Sequence, residues 1–113
     1  MLESVSLPAF LPDGWRSLPF SPFRDGVEIS VIRDGSPMVA LLRYAPGASV
    51  PRHSHTGLET VLVLEGAQSD ERGHYPAGSL VFNPKGNIHT VWSDEGCTVL
   101  IQWERPVEFV VPE

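Results

Sequence analysis

Three of the four histidines in this sequence stand where they can act together. His53 and His55 are separated by one residue, Glu59 follows in the same register, and His89 lies beyond a Pro84-Lys85-Gly86 turn. In an extended segment, side chains at i and i+2 share a face. His53 and His55 can therefore present two imidazoles to one point. Glu59 has the same parity, and a turn at Thr56-Gly57 can bring it back toward them, while His89 must arrive from a separate strand. Imidazoles and a carboxylate make a mixed nitrogen–oxygen site for one divalent metal per chain. With open positions such a site suits non-haem iron, and it also takes zinc, nickel or manganese. Glu59 is also the candidate catalytic base. Taken singly, each histidine would read as structural or exposed. The glycines and proline spaced around them, Gly47, Gly66, Gly78, Pro84 and Gly86, make the group a pattern.

Those ligands need short, well-turned elements to carry them. The chain has 113 residues, enough for one domain with one modest core. Ten glycines and eleven prolines argue against long helices and for many strands joined by tight turns. An apolar fraction of 42% with 19% charged residues argues against disorder. Strands are expected at Val27–Ile32, Met38–Ala45, Glu59–Glu65, Gln68–Glu71, Ser79–Asn83, His89–Trp92, Thr98–Trp103 and Val107–Val111. Their spacing is that of an all-β sandwich or barrel. Residues 1–26 are rich in Pro, Phe and Trp and show neither alternation nor helical period. They read as an arm lying over the core, because Phe10, Trp15, Phe20 and Phe23 would be costly in water. Residues 27–113 read as the barrel that holds the site.

The blocks Gly47…His53-x-His55…Glu59…Gly66 and Gly78…Pro84-x-Gly86…His89 resemble the two motifs of the cupin superfamily. The resemblance covers nearly everything from Val27 onward. It implies a cupin-type jelly-roll barrel, a double-stranded β-helix, with the metal inside and with His53, His55, Glu59 and His89 as its ligands. The second motif usually ends in Asn four residues after the histidine, where this chain has Ser93. More narrowly, Arg43-Tyr44-Ala45-Pro46-Gly47, Tyr75-Pro76-Ala77-Gly78, Asn83-Pro84 and Glu95-Gly96-Cys97 are similar to the cupin domain of ChrR-type anti-sigma factors. They also resemble the cupins that cleave acetylacetone with dioxygen. ChrR-type proteins carry a helical, zinc-binding sigma-docking domain that these residues do not encode. The resemblance therefore implies the metal pocket and not sigma-factor inhibition. Two activities stay open: a metal-dependent dioxygenase of a small carbonyl or enol compound, and a zinc-binding sensor without catalysis.

Around the metal, Asn83 shares parity with Val81 and can hydrogen-bond a ligand, or it can cap the turn before Pro84. Val61 and Val63 share parity with Glu59 and line the pocket or the general core. Trp92 is a candidate cavity wall or ordinary core, and Arg43 and Arg52 are candidate anchors for an anionic substrate or plain surface residues. His74 lies outside both motifs and reads as exposed. Cys97 reads as a buried, inert thiol.

The net charge of −6 and the lack of a basic patch speak against nucleic acid and acidic membrane surfaces. The longest apolar run, Met38–Leu42, is far short of the ~20 residues that span a bilayer. Met1-Leu2-Glu3-Ser4 has no basic or apolar signal region, so a soluble cytoplasmic protein is expected. Sheet edges need cover. The apolar arm or Val107–Val111 can supply it between two copies, which gives the expectation of a homodimer.

Overall fold

In the computed structural model, which describes residues 3–110, the short-turned sequence becomes a curled antiparallel sheet of ten strands. They are β1 (Ser21–Arg24), β2 (Val27–Arg33), β3 (Met38–Tyr44), β4 (Ala48–His55), β5 (Glu59–Asp70), β6 (Gly73–Pro76), β7 (Leu80–Asn83), β8 (Ile88–Ser93), β9 (Cys97–Trp103) and β10 (Val107–Phe109). A single 3-10 turn, Gly14–Ser17, precedes them. The strand order is β1-β2-β3-β9-β5-β8-β4-β10, with β6 and β7 paired to β5. No helix among the described residues is long and apolar enough to cross a membrane.

β5 is the corner of the molecule. Its first part pairs with β9 and β7, and its end pairs with β6 and β8. The expectation of two strands broken at Gly66 is corrected here: β5 runs unbroken for twelve residues. Gly66 has φ +71°, a conformation open to glycine without steric cost. It bends the strand from one half of the sheet to the other instead of ending it. A Cβ at that position would stand 2.0 Å from the Gly96 carbonyl oxygen.

The core fills the inside of the curl. Leu42, Tyr44, Val61, Val63, Val99 and Ile101 form its centre, all buried. Strands β1, β4 and β6 were not among the expected strands. β1 carries only exposed or half-buried side chains and lies in the segment read as an arm, where it pairs with β2. Among the described residues that precede β1, Trp15 is buried and donates its indole N–H to the Pro12 carbonyl at 3.0 Å. Arg16 pairs with Glu65 of β5 at 2.8 Å. Phe10 and Phe20 are half-buried, whereas Phe23 is exposed. β10 is described for Val107–Phe109; Val111, at the end of the expected strand, lies outside the described residues.

Candidate metal centre

Two adjacent strands carry the three histidines. β4 pairs with β8 so that His53 stands directly opposite His89. The register between these strands shifts between Val50 and His53. That bulge turns the inward face of β4 from even-numbered Val50 to odd-numbered His53 and His55. All three imidazoles are buried, and each offers a ligand atom within 4.8 Å of the other two. Ring centroids are 4.7–5.1 Å apart and the rings meet edge to face.

The outer nitrogens fix the inner ones. His53 Nδ1 meets the Pro51 carbonyl at 2.8 Å, and His55 Nδ1 meets the Asn87 carbonyl at 3.0 Å. His89 Nδ1 meets the Asp70 carboxylate at 3.0 Å. At His53 and His89 the oxygen acceptor at Nδ1 places the proton there and leaves Nε2 as a lone pair. His53 Nε2 and His89 Nε2 then face each other at 3.1 Å. Two lone pairs aimed at one point in a buried site fit a shared cation. The donor set therefore fits a divalent metal held through Nε2 atoms.

Glu59 enters from β5, buried, opposite Asn83 of β7. Its Oε1 accepts from Asn83 Nδ2 at 2.8 Å and from His55 Nε2 at 3.1 Å, and its Oε2 accepts from the Trp103 indole. Burial opposes a proton on His55, yet the hydrogen bond and charge of Glu59 outweigh it and hold the imidazole above its usual range. Burial would likewise lift Glu59. The His55 hydrogen bond and charge, with the Trp103 and Asn83 donors, hold its carboxyl below the usual range instead. Burial holds His53 below the histidine range, and the neighbouring His89 and His55 add to this.

A cavity of about 20 Å³ opens beside His53 and Glu59, room for about one water molecule. Leu42, Val50, Val91 and Ile101 make it apolar, Gln68 adds a polar group, and Phe23, Trp103 and Phe109 also line it. The Phe109 ring lies 6.0 Å from His53 and 4.4 Å from the Arg24 guanidinium.

Other sequence candidates fall elsewhere. Val61 and Val63 are buried in the core. Trp92 is not a cavity wall: on β8 the buried positions are His89, Val91 and Ser93, so alternation turns Trp92 to the other face. Arg43 is exposed on β3, hydrogen-bonded to Glu28 at 2.9 Å and stacked 3.9 Å over Phe20, well away from the histidines' face. Arg52 is exposed. His74 is exposed and reaches Ser69 at 2.9 Å. Cys97 is buried and free, and burial pushes its thiol up to about 11. Ser93, which replaces the usual Asn, is fully buried and donates to the Ala67 carbonyl at 2.6 Å. Asp70 and Trp103 were not singled out in the sequence, although both hold site residues.

The sequence model of the family described as ChrR Cupin-like domain matches residues 15–106. The chain belongs to this family. Among its cupin relatives is the anti-sigma-E factor ChrR of Cereibacter sphaeroides, 34% identical over 98 residues, which are 84% of this chain and 44% of that protein. The chain thus spans under half the length of that relative. In the crystal structure of Rhodobacter sphaeroides SigE with the anti-sigma ChrR, the cupin match has a TM-score of 0.72 at 29% identity, covering 77% of this chain and 50% of that one. An acetylacetone dioxygenase from Acinetobacter johnsonii shares the fold, with a TM-score of 0.79 at 17% identity, covering 98% of this chain and 79% of that one. The all-β cupin barrel expected from the two motifs is thus the fold of this chain.

Proposed function

We propose that this cupin is a metal-dependent dioxygenase, or a related oxidoreductase, acting on a small carbonyl or enol compound. The observation that carries it is the convergence of three buried imidazoles beside a buried, hydrogen-bonded carboxylate. A bound divalent metal, iron(II) in the first instance, would supply Lewis acidity for an enolate and a redox-active relay through which that enolate, the source of the electrons, reduces dioxygen. His53, His55 and His89 would hold it. Glu59 either joins them or takes the substrate's proton, and Asn83 and Trp103 aim its two oxygens. When His55 gives its Nε2 to a metal, Glu59 Oε1 loses that donor and keeps Asn83. That oxygen is then the one placed to accept a proton. The apolar wall around it suits a small, largely hydrocarbon substrate.

The test is dioxygen uptake by the iron(II)-loaded protein with 1,3-dicarbonyl compounds and aromatic ketones. Sustained uptake, abolished in His53→Ala, is expected. Stoichiometric uptake without turnover would rule the enzyme out.

A second reading, a zinc-binding sensor or ligand-binding module, is favoured by the 34% identity to ChrR and by a cavity of only about 20 Å³. Protein purified without oxygen separates the two. Iron or manganese near one per chain supports the enzyme, and zinc that resists chelators supports the sensor. The free, buried Cys97 is in keeping with a reducing, cytoplasmic setting. We also propose a homodimer, supported by Leu80 and Phe82, each 58% exposed on the short strand β7. A monomer mass in solution at micromolar concentration would exclude it.

A further inference from the structure

The three histidines are held from behind in two different ways. His53 and His55 lean on neutral backbone carbonyls. His89 alone leans on a carboxylate, Oδ2 of Asp70, at 3.0 Å. Asp70 is 6% exposed. Its other oxygen, Oδ1, accepts the backbone N–H groups of Arg72 and Gly73 at 2.8 and 3.2 Å and the Tyr75 hydroxyl at 2.9 Å. The β5–β6 hairpin, in which Asp70 stands opposite Gly73, therefore clamps one oxygen and leaves the other for the imidazole.

We propose that Asp70 is the positioning residue of the metal centre and makes His89 its strongest electron donor, with Tyr75 setting how much of the charge reaches the ring. The inference rests on the reading that the three histidines hold a metal. An anionic partner at Nδ1 fixes the tautomer, orients the ring and raises ligand basicity; a neutral carbonyl does the first two with less of the third. A hydrogen bond from Tyr75 to Oδ1 draws charge away from Oδ2. Removing the carboxylate charge and removing the tyrosine hydroxyl should thus act in opposite directions on the metal.

The test uses the full chain with Asp70→Asn, Tyr75→Phe and His74→Ala as the control. Cobalt(II) affinity is measured by chelator competition, and the reduction potential is measured on the iron-loaded protein. Asp70→Asn is expected to weaken cobalt binding about 10- to 100-fold and to shift the potential upward. Tyr75→Phe is expected to shift the potential downward without weakening binding. His74→Ala is expected to match the wild type. A merely structural role for the hairpin would move both variants the same way, and that result overturns the proposal. So does an Asp70→Asn protein that binds like the wild type, in which case the metal centre stands and Asp70's role falls. A wild type that binds no cobalt removes the metal centre and this inference with it. If Asp70→Asn does not fold, the sign of the Tyr75→Phe shift decides.

Discussion

His53, which faces His89 Nε2 to Nε2 at 3.1 Å, is sensitive to acid. Burial keeps His53 below the usual histidine range, so the unfolded chain takes a proton there more readily than the folded one. That difference lowers stability as pH falls below about 6.5. His55 has the opposite sign. Its Glu59 partner, outweighing burial, holds it above the usual range. Its contribution to the metal-free fold is therefore present in acid and lost as pH rises through its folded value. Glu59 and Asp70, both held low against burial by their hydrogen bonds to histidine, contribute stability that is lost only in the carboxylate range. Metal-free protein should thus keep much of its stability down to about pH 5 and lose it below. Metal-loaded protein should release its metal between about pH 6 and 5. Melting temperature and bound metal against pH, measured on both forms, check this. Because His55 holds a proton against Glu59 in the metal-free site, loading near neutral pH should release protons. Calorimetry in buffers of different ionisation enthalpy reads that number. Glu59→Gln should retain metal and lower turnover about 10²- to 10⁴-fold, with a smaller change in KM. Equal kinetics would remove Glu59 from the chemistry.

Strands and their irregularities decide which of these residues were legible beforehand. The pair His53 and His55 follows from strand alternation alone, and His89 from the turn that aims its strand. Asn83 could be found because it shares the parity of Val81. Asp70 could not, since it has the opposite parity to Glu59 on the same strand. The register of β5 shifts between Val63 and Glu65, and beyond it Gln68 and Asp70 come to face the site. A bulge of this kind leaves no period to read. The same limit hid the continuity of β5 through Gly66, where glycine serves as a bend although it reads as a stop. Gly66→Ala tests the bend. Its Cβ would meet the Gly96 oxygen at 2.0 Å with φ at +71°. A loss of more than about 1 kcal/mol is expected from the incompatible φ alone, visible as a lowered melting temperature. Trp103 was legible as a strand residue, but its link to Glu59 depends on β9 pairing with β5, with Glu59 opposite Trp103. That pairing is long-range, and no local pattern announces it.

The whole molecule is a curled sheet with the site inside and the N-terminal segment leading into it. Within that segment Trp15 is only 2% exposed, whereas Phe23 is exposed and lines the cavity. Trp15→Ala should destabilise the protein by about 3–5 kcal/mol, measured by denaturant unfolding, whereas loss of the exposed Arg16–Glu65 pair should matter little. The cavity beside His53 and Glu59 is narrow, about 20 Å³, so a substrate-sized ligand needs it to widen. Among the described residues the three-residue strand β10, which carries the cavity-lining Phe109, pairs with β4 alone. It is the element with least to lose by parting. Ligand capture should then be limited by the frequency of that parting. In stopped-flow mixing the observed rate should level off as ligand concentration rises, and Phe109→Ala should raise the plateau.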